Sequence, residues 1–334
     1  MNKIVIIGNG FDLAHGLKTS YKDLMNFIKE DANLDSRKAG DCGNIHYDLD
    51  DGNNYIAFRR HNTVKVNHDF TTCGKNPSIY FTQLFKEYNQ YEKWVDLESL
   101  YFRLIKENLT KLDNVDLINK EFNYLKRLLE KYLFEEVENK LPNSLSNFRE
   151  CFFDSYKTER LLGILNFNYT QKAISYHLKY WEKELYHDSF SLINIHGQLN
   201  SNKNPIIFGY GDDNSNEYKA IQAKEKKELL INFKTFQYLR TSNYHRVLAM
   251  LELEKDIKIE IIGHSCGLSD KTLLKTLFQH PNVKKIEFRY HDNEEKYFEN
   301  IYNISRIFDD NILMREKMVS LSETEIIPKL NIEL

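Results

Sequence analysis

Residues 1–21 read MNKIVIIGNGFDLAHGLKTSY, and the fold is decided there. Ile4-Val5-Ile6-Ile7 is a run apolar on both faces, the pattern of a strand buried on both sides of a parallel sheet. It passes directly into Gly8-Asn9-Gly10, a tight turn of the kind that lets main-chain N–H groups approach a phosphate, with a helix just beyond adding its positive dipole end. The dinucleotide fingerprint asks for a third glycine at position 13. This chain has Leu13 there and its next glycine at Gly16, which weakens an ordinary dehydrogenase reading and keeps a plain strand-to-loop turn as the bland alternative. Ser20 is placed to cap a helix with Asp23 at the third helical position, followed by Tyr21, Leu24, Phe27 and Ile28 on one face. Gly10 is expected to admit the ligand, so that a bulkier side chain would block binding and spare the fold.

Composition bounds the rest. A chain of 334 residues, 41% hydrophobic, is long enough for two domains or one large one. With 46 basic against 49 acidic residues the net charge is −3, so no overall field draws the chain to nucleic acid or to an anionic membrane. No apolar run reaches membrane-spanning length, and a cytoplasmic protein is expected. Cys42, Cys73, Cys151 and Cys266 form no Cys-x-x-Cys pair, as reduced thiols would. Cys42-x3-His46 and His68-x4-Cys73 stretch into a four-ligand zinc site only inside a polar segment without periodicity; no metal is expected.

Residues 31–78, rich in Asp, Asn, Gly and His, read as a long loop or irregular insertion. From 79 to 140 the apolar residues recur at three and four, as in helices, with Trp94 read as core and Asp96 and Glu98 as solvated or capping carboxylates. Beyond Pro142 strands and helices alternate. The strands expected are 161–167, 191–195, 205–208, 257–262 and 285–290, with helices at 171–184, 270–279 and 294–307 and a long helical region at 217–255. Polar residues cluster where these strands end: Gly8 to Asp12, Asn168 to Thr170, His196-Gly197, Gly209 to Asp213, Gly263 to Ser265, and His291-Asp292. In open parallel sheets ligands bind at those ends. The expected architecture is α/β, a Rossmann-like, mostly parallel sheet flanked by helices. Residues 1–30 and 160–334 form a discontinuous nucleotide-binding core, and 31–159 a loop-rich, then mainly helical, insertion.

Through GNGFDLAHGLKTSY at 8–21, WVDLE at 94–98, FNYT at 167–170, IHG at 195–197 and GHSCGLSD at 263–270, the chain resembles the bacteriophage abortive-infection AbiH family over nearly its whole length. That resemblance implies a protein that stops phage infection by sacrificing the cell. A more distant likeness is to sirtuin-type NAD-consuming domains. There a Gly-x-Gly turn, an Asn motif, a His-Gly and a Gly-(Thr/His)-Ser turn follow strands in the order of Gly8-Asn9-Gly10, Asn168, His196-Gly197 and Gly263-His264-Ser265. The chain lacks the zinc module of the deacetylases and has Phe-Asn-Tyr-Thr where they carry a longer Asn motif. The likeness therefore implies cleavage of NAD by water rather than deacylation.

Such chemistry needs a positioned water, an acceptor for its proton and a firm hold on ribose and diphosphate. Asn168 would orient water and ribose hydroxyls. His196 would be the base, with an unperturbed pKa of about 6.5. Gly8, Asn9, Gly10, Gly263, His264 and Ser265 would meet the diphosphate or ribose, Asp12 the ribose or carboxamide, and His291 the adenosine side. The bland readings are a satisfied strand-end histidine for His196 and a cap of the following helix for Asn168. The expected partners are NAD as substrate, an unidentified phage or host trigger and, left open, a second copy of the chain. Two alternatives stand beside this one. Arg240-x4-His245 matches a pattern used by certain helical ribonucleases, and the chain also suits a non-catalytic nucleotide sensor whose insertion binds a protein.

Overall fold

The computed structural model describes residues 1–31, 45–50, 53–60, 63–64, 78–87, 91, 94–139, 159–184, 190–290 and 294–324. In chain order the described strands are β1 (Asn2–Ile7), β2 (Ile45–Asp50), β3 (Asn53–Arg60), β4 (Thr63–Val64), β5 (Arg160–Asn166), β6 (Ser191–Asn194), β7 (Ile257–Ile262) and β8 (Val283–Arg289). The chain forms two compact units. The first comprises Met1–Thr19, Leu133–Asp213 and Lys234–Leu334; the second comprises Ser20–Tyr132 and Asn214–Phe233. Residues 20–30 thus group with the helical unit, and 214–233 join them there.

The first unit is an α/β, Rossmann-like body around one all-parallel sheet in the order β6-β5-β1-β7-β8. Numbered within the sheet, this is 3-2-1-4-5, the order of a doubly wound nucleotide fold, and the direction of winding reverses between β1 and β7. The centre goes to β1 because Ile4 to Ile7 are wholly buried and need cover on both faces. One face carries Ile4, Ile6, Ile259, Ile261, Leu165 and Phe288, packed with Leu273, Leu274 and Leu277 of helix Lys271–Phe278 and Val247 and Leu251 of helix Asn243–Leu253.

The other face of β1, β7 and β8 departs from the all-apolar expectation. The period-two alternation of Ile257-Lys258-Ile259-Glu260-Ile261 places charges on it, and they are paired there, Lys3, Glu260, Glu287 and Arg289 buried and Lys258 half-buried. Lys3 Nζ lies 2.5 Å from Glu159 and 2.9 Å from Glu260, Lys258 lies 2.7 Å from Glu287, and Arg289 pairs with Glu260. Burial is tolerated because every cation meets a carboxylate; removing one partner would strand a charge.

Two further expectations change. Residues 205–208 are not a laddered strand: Pro205 has no N–H to give, and the segment is tied by Gln198 N–H to Asn204 O at 2.8 Å and Ile207 N–H to His196 O at 2.8 Å. The helical region at 217–255 breaks into Asn216–Gln222, the short turns Lys227–Leu229 and Tyr238–Arg240, and helices Lys234–Gln237 and Asn243–Leu253.

The second unit contains helices Tyr21–Asp31, Tyr80–Glu87, Trp94–Glu107 and Leu112–Tyr132. The Ser20–Asp23 capping box forms as read, Ser20 N–H reaching Asp23 Oδ2 at 3.0 Å and Asp23 N–H reaching Ser20 Oγ at 3.2 Å. Segment 214–233 is tied in through Asn119, whose amide donates to Glu228 O at 2.8 Å and accepts from Asn232 at 3.2 Å and from Tyr101 at 2.7 Å. Glu98 is buried rather than solvated. Within 31–78, where a long loop or irregular insertion is expected, β2, β3 and β4 form an antiparallel sheet. The two residues between β2 and β3 are Asp51-Gly52, a pair strongly favoured in two-residue hairpin loops, so a local signal for this sheet exists in the sequence.

Candidate functional site

Strand register defines the site. Asn194, Asn166, Ile7, Ile262 and Arg289 lie in one row across the carboxyl end of the parallel sheet. Two positions beyond that row come Asn9, Asn168, His196 and His264. His291 occupies the same step after β8 and lies outside the described residues. The parallel sheet therefore brings four of the residues singled out from sequence into one rank above the winding reversal, where doubly wound folds bind ligands.

The glycines of the first turn serve packing. Gly8 N–H donates to Ile262 O at 3.0 Å and Gly10 N–H to Gly263 O at 2.7 Å, so these two amides are already engaged by the neighbouring strand end. A Cβ on Gly10 would lie 2.8 Å from Gly263 Cα, and one on Gly8 2.5 Å from His264 Cα. The β1 and β7 turns are thus nested backbone to backbone, and a larger residue at Gly10 strikes the fold itself rather than only a ligand. Gly263, at φ +67°, also takes a conformation that disfavours side chains. Asn9 opens the short helix Asn9–Ala14, and Ser265 is half-buried with its carbonyl accepting from Asn303 at 3.1 Å.

Asparagines stitch the strand ends together. Asn166, the last residue of β5, donates to Asn194 Oδ1 at 3.0 Å and to Thr170 O at 3.1 Å, and accepts from the N–H of Asn168 at 3.0 Å. This fixes the Asn-Phe-Asn-Tyr-Thr turn and sends the Asn168 amide to Gly8 O at 3.1 Å. Asn168 does not cap the next helix: the carboxylate of Glu138 receives Gln171 N–H at 2.8 Å instead. Beneath the turn Asp12 is buried and bonded by Thr170. Burial pushes its carboxyl up to about 7, with the Thr170 and Asn168 hydrogen bonds opposing and the Glu138 charge adding to the rise.

The densest chemistry surrounds Asp270, which was not among the residues singled out from sequence. One oxygen, Oδ1, accepts from His196 Nε2 at 2.9 Å and from Lys234 Nζ at 2.7 Å, while Oδ2 lies 3.4 Å from His264 Nε2. Along the chain Asp270 lies 74 residues from His196 and 36 from Lys234, so no local spacing announces the group. All four side chains are buried. The Lys234 ammonium and the two imidazoles hold the Asp270 carboxyl well below its usual range against the penalty of burial. Burial and the Lys234 charge hold His196 below the ordinary histidine value, with Asp270 pulling the other way. Neutral at pH 7, His196 is competent to accept a proton. Its ring meets Phe167 edge-on at 5.1 Å and Tyr169 nearly parallel at 5.8 Å, and Tyr169 is anchored by its hydroxyl to Ile207 O.

A second buried pair, also unassigned from sequence, joins His15 to His177 with Nε2 to Nε2 at 2.6 Å. His15 Nδ1 faces Phe11 O at 2.7 Å and must donate there, so its Nε2 accepts from His177. Arg240 and His245 are both exposed and lie on different elements of the expected helical region, the short turn Tyr238–Arg240 and helix Asn243–Leu253. Among the cysteines Cys266 is described; it is buried, and burial pushes its thiol up. Cys42, Cys73, Cys151 and His68 lie outside the described residues, and nothing describes the side chain of His46. Among the described residues no helix is long and apolar enough to cross a membrane.

A comparison with curated proteins yields no match. The family model described as bacteriophage abortive infection AbiH matches residues 4–308, from the central strand of the parallel sheet to beyond its last strand. The chain belongs to the bacteriophage abortive infection AbiH family.

Proposed function

We propose that this chain acts in phage abortive infection by hydrolysing NAD to nicotinamide and ADP-ribose. The observation that carries the reading is the register-level alignment of Asn168 and His196 two residues beyond the adjacent ends of β5 and β6, each held by a hydrogen bond to a neighbouring element. In the reaction the bond from ribose C1′ to the nicotinamide nitrogen breaks and its electron pair stays with nicotinamide. Water bonds to C1′, and its proton passes to His196. Asn168 orients the water and ribose hydroxyls, and Asp12 supplies a hydrogen-bonding group to the ribose or carboxamide. Asn9, Gly263, His264 and Ser265 line the diphosphate side. A buried setting favours such a site because fixed dipoles act more strongly away from bulk water.

The test is nicotinamide release from NAD by the purified protein, together with NAD levels in phage-infected cells that express it. Wild type is expected to release nicotinamide and to deplete NAD on infection. His196→Ala and Asn168→Ala should do neither. Phage protection that persists in both variants with NAD unchanged would favour a non-catalytic nucleotide sensor instead.

A further inference from the structure

The hydrogen bonds around Asp270 specify more than the presence of a base. A carboxylate only accepts, so the hydrogen between His196 and Asp270 belongs to His196 Nε2, and the neutral ring then carries its lone pair on Nδ1. His264 is fixed by the same logic: its Nδ1 accepts Cys266 N–H at 3.0 Å, so its Nε2 bears the hydrogen on the side of Asp270. Lys234 is set independently, its N–H bonded to Tyr210 O at 2.9 Å and its stem packed where a Cβ on Gly211 would lie 3.1 Å away. Although Asp270 stands at the start of helix Lys271–Phe278, its carboxylate makes no capping bond there. It is turned wholly to the two histidines and the lysine.

We propose that Lys234, Asp270 and His196 form a positioning relay, in which Lys234 anchors Asp270 through Oδ1 and Asp270 holds His196 by Nε2–H so that Nδ1 is the atom that takes the proton from water. The proposal rests on the hydrolase reading and adds to it the accepting atom and two positioning residues. The charged and titratable groups around His196 are Lys234, Asp270 and His264. Their effects have opposite signs. The Lys234 cation disfavours a protonated His196, and the Asp270 anion favours it. The two positioning residues must therefore move the titration of His196 in opposite directions, and Asp270 in addition must set its tautomer.

The experiment titrates 15N-histidine-labelled full-length protein by long-range 1H–15N spectroscopy, with His196 assigned from its loss in His196→Gln. In wild type His196 is expected as the Nε2–H tautomer. Lys234→Gln should raise its midpoint by about one pH unit, whereas Asp270→Asn should lower it and mix the tautomers. The acid limb of nicotinamide release should move in the same two senses, with kcat falling more than tenfold in Asp270→Asn and KM changing far less. If Asp270→Asn does not fold, the wild-type tautomer and Lys234→Met carry the test, the first expected as Nε2–H and the second with a raised midpoint. Shifts in the same direction, no shift, or an Nδ1–H tautomer in wild type would overturn the relay. Opposite shifts in a protein that leaves NAD intact would keep the relay and reject the hydrolase reading.

Discussion

Gly10 donates its N–H to Gly263 over 2.7 Å, and the two backbones approach so closely that a Cβ on Gly263 would lie 2.2 Å from Phe11 N. Gly10→Val and Gly263→Ala should each lower stability by about 3 kcal/mol through overpacking, with strain at positive φ adding to the second. Denaturant midpoints measure this. A Gly10→Val protein as stable as wild type would show that the nested turns separate without penalty.

Asp12 predicts a loss of stability as pH rises. Its carboxyl ionises at 3.8 in the unfolded chain and at about 7 when folded, so between these values the folded state keeps a proton that the unfolded state has released. Stability therefore falls through that window, by on the order of 4 kcal/mol in all. Glu121, buried in the second unit beneath the start of helix Tyr80–Glu87, is also raised by burial, from 4.5 to about 7, and acts with the same sign. Asp12→Asn and Glu121→Gln should each flatten the decline between about pH 4 and 7 in guanidinium titrations. An unchanged slope in both would remove these carboxyls as its source.

The His15–His177 pair acts at the other end of the scale. Burial lowers His15 from 6.5 to about 4 and His177 to about 3, so both stay neutral in the folded chain while the unfolded chain takes up protons. Stability is fully present above pH 6.5 and is lost as pH falls toward 4, by on the order of 3 kcal/mol for one such group. His177→Gln should shift the acid unfolding midpoint downward. Acid unfolding identical to wild type would contradict the pair's role.

Catalysis separates the functional classes. Alanine at His196 or Asn168 should slow NAD hydrolysis on the order of a hundredfold with nucleotide affinity altered much less, because both groups act chiefly on the transition state. Asn166→Ala, which frees the turn carrying Asn168, should lower kcat as well as stability. Alanine at exposed Arg240 and His245 should leave hydrolysis intact. Phage protection lost only with His245 would instead revive the ribonuclease reading.

Local and periodic signals were legible in the chain itself. Ile4 to Ile7 dictated a doubly buried strand, Ser20 and Asp23 a capping box, and the apolar spacing after residue 79 the helices, because each depends on neighbours within a few residues. The polar strand ends marked Asn168, His196 and His264 for the same reason, and the Asp51-Gly52 pair held an equally local hairpin signal that the polar composition of 31–78 obscured. The tertiary structure alone decided the rest. Parallel crossovers set Asn9, Asn168, His196 and His264 in one rank, and distant loops delivered Asp270 and Lys234 to the side of His196. Whether Gly10 meets a ligand or Gly263, and whether Glu260 is solvated or buried against Lys3 and Arg289, depends on which strands become neighbours. Pairing in a parallel sheet joins residues far apart in sequence, so no short window of residues contains it.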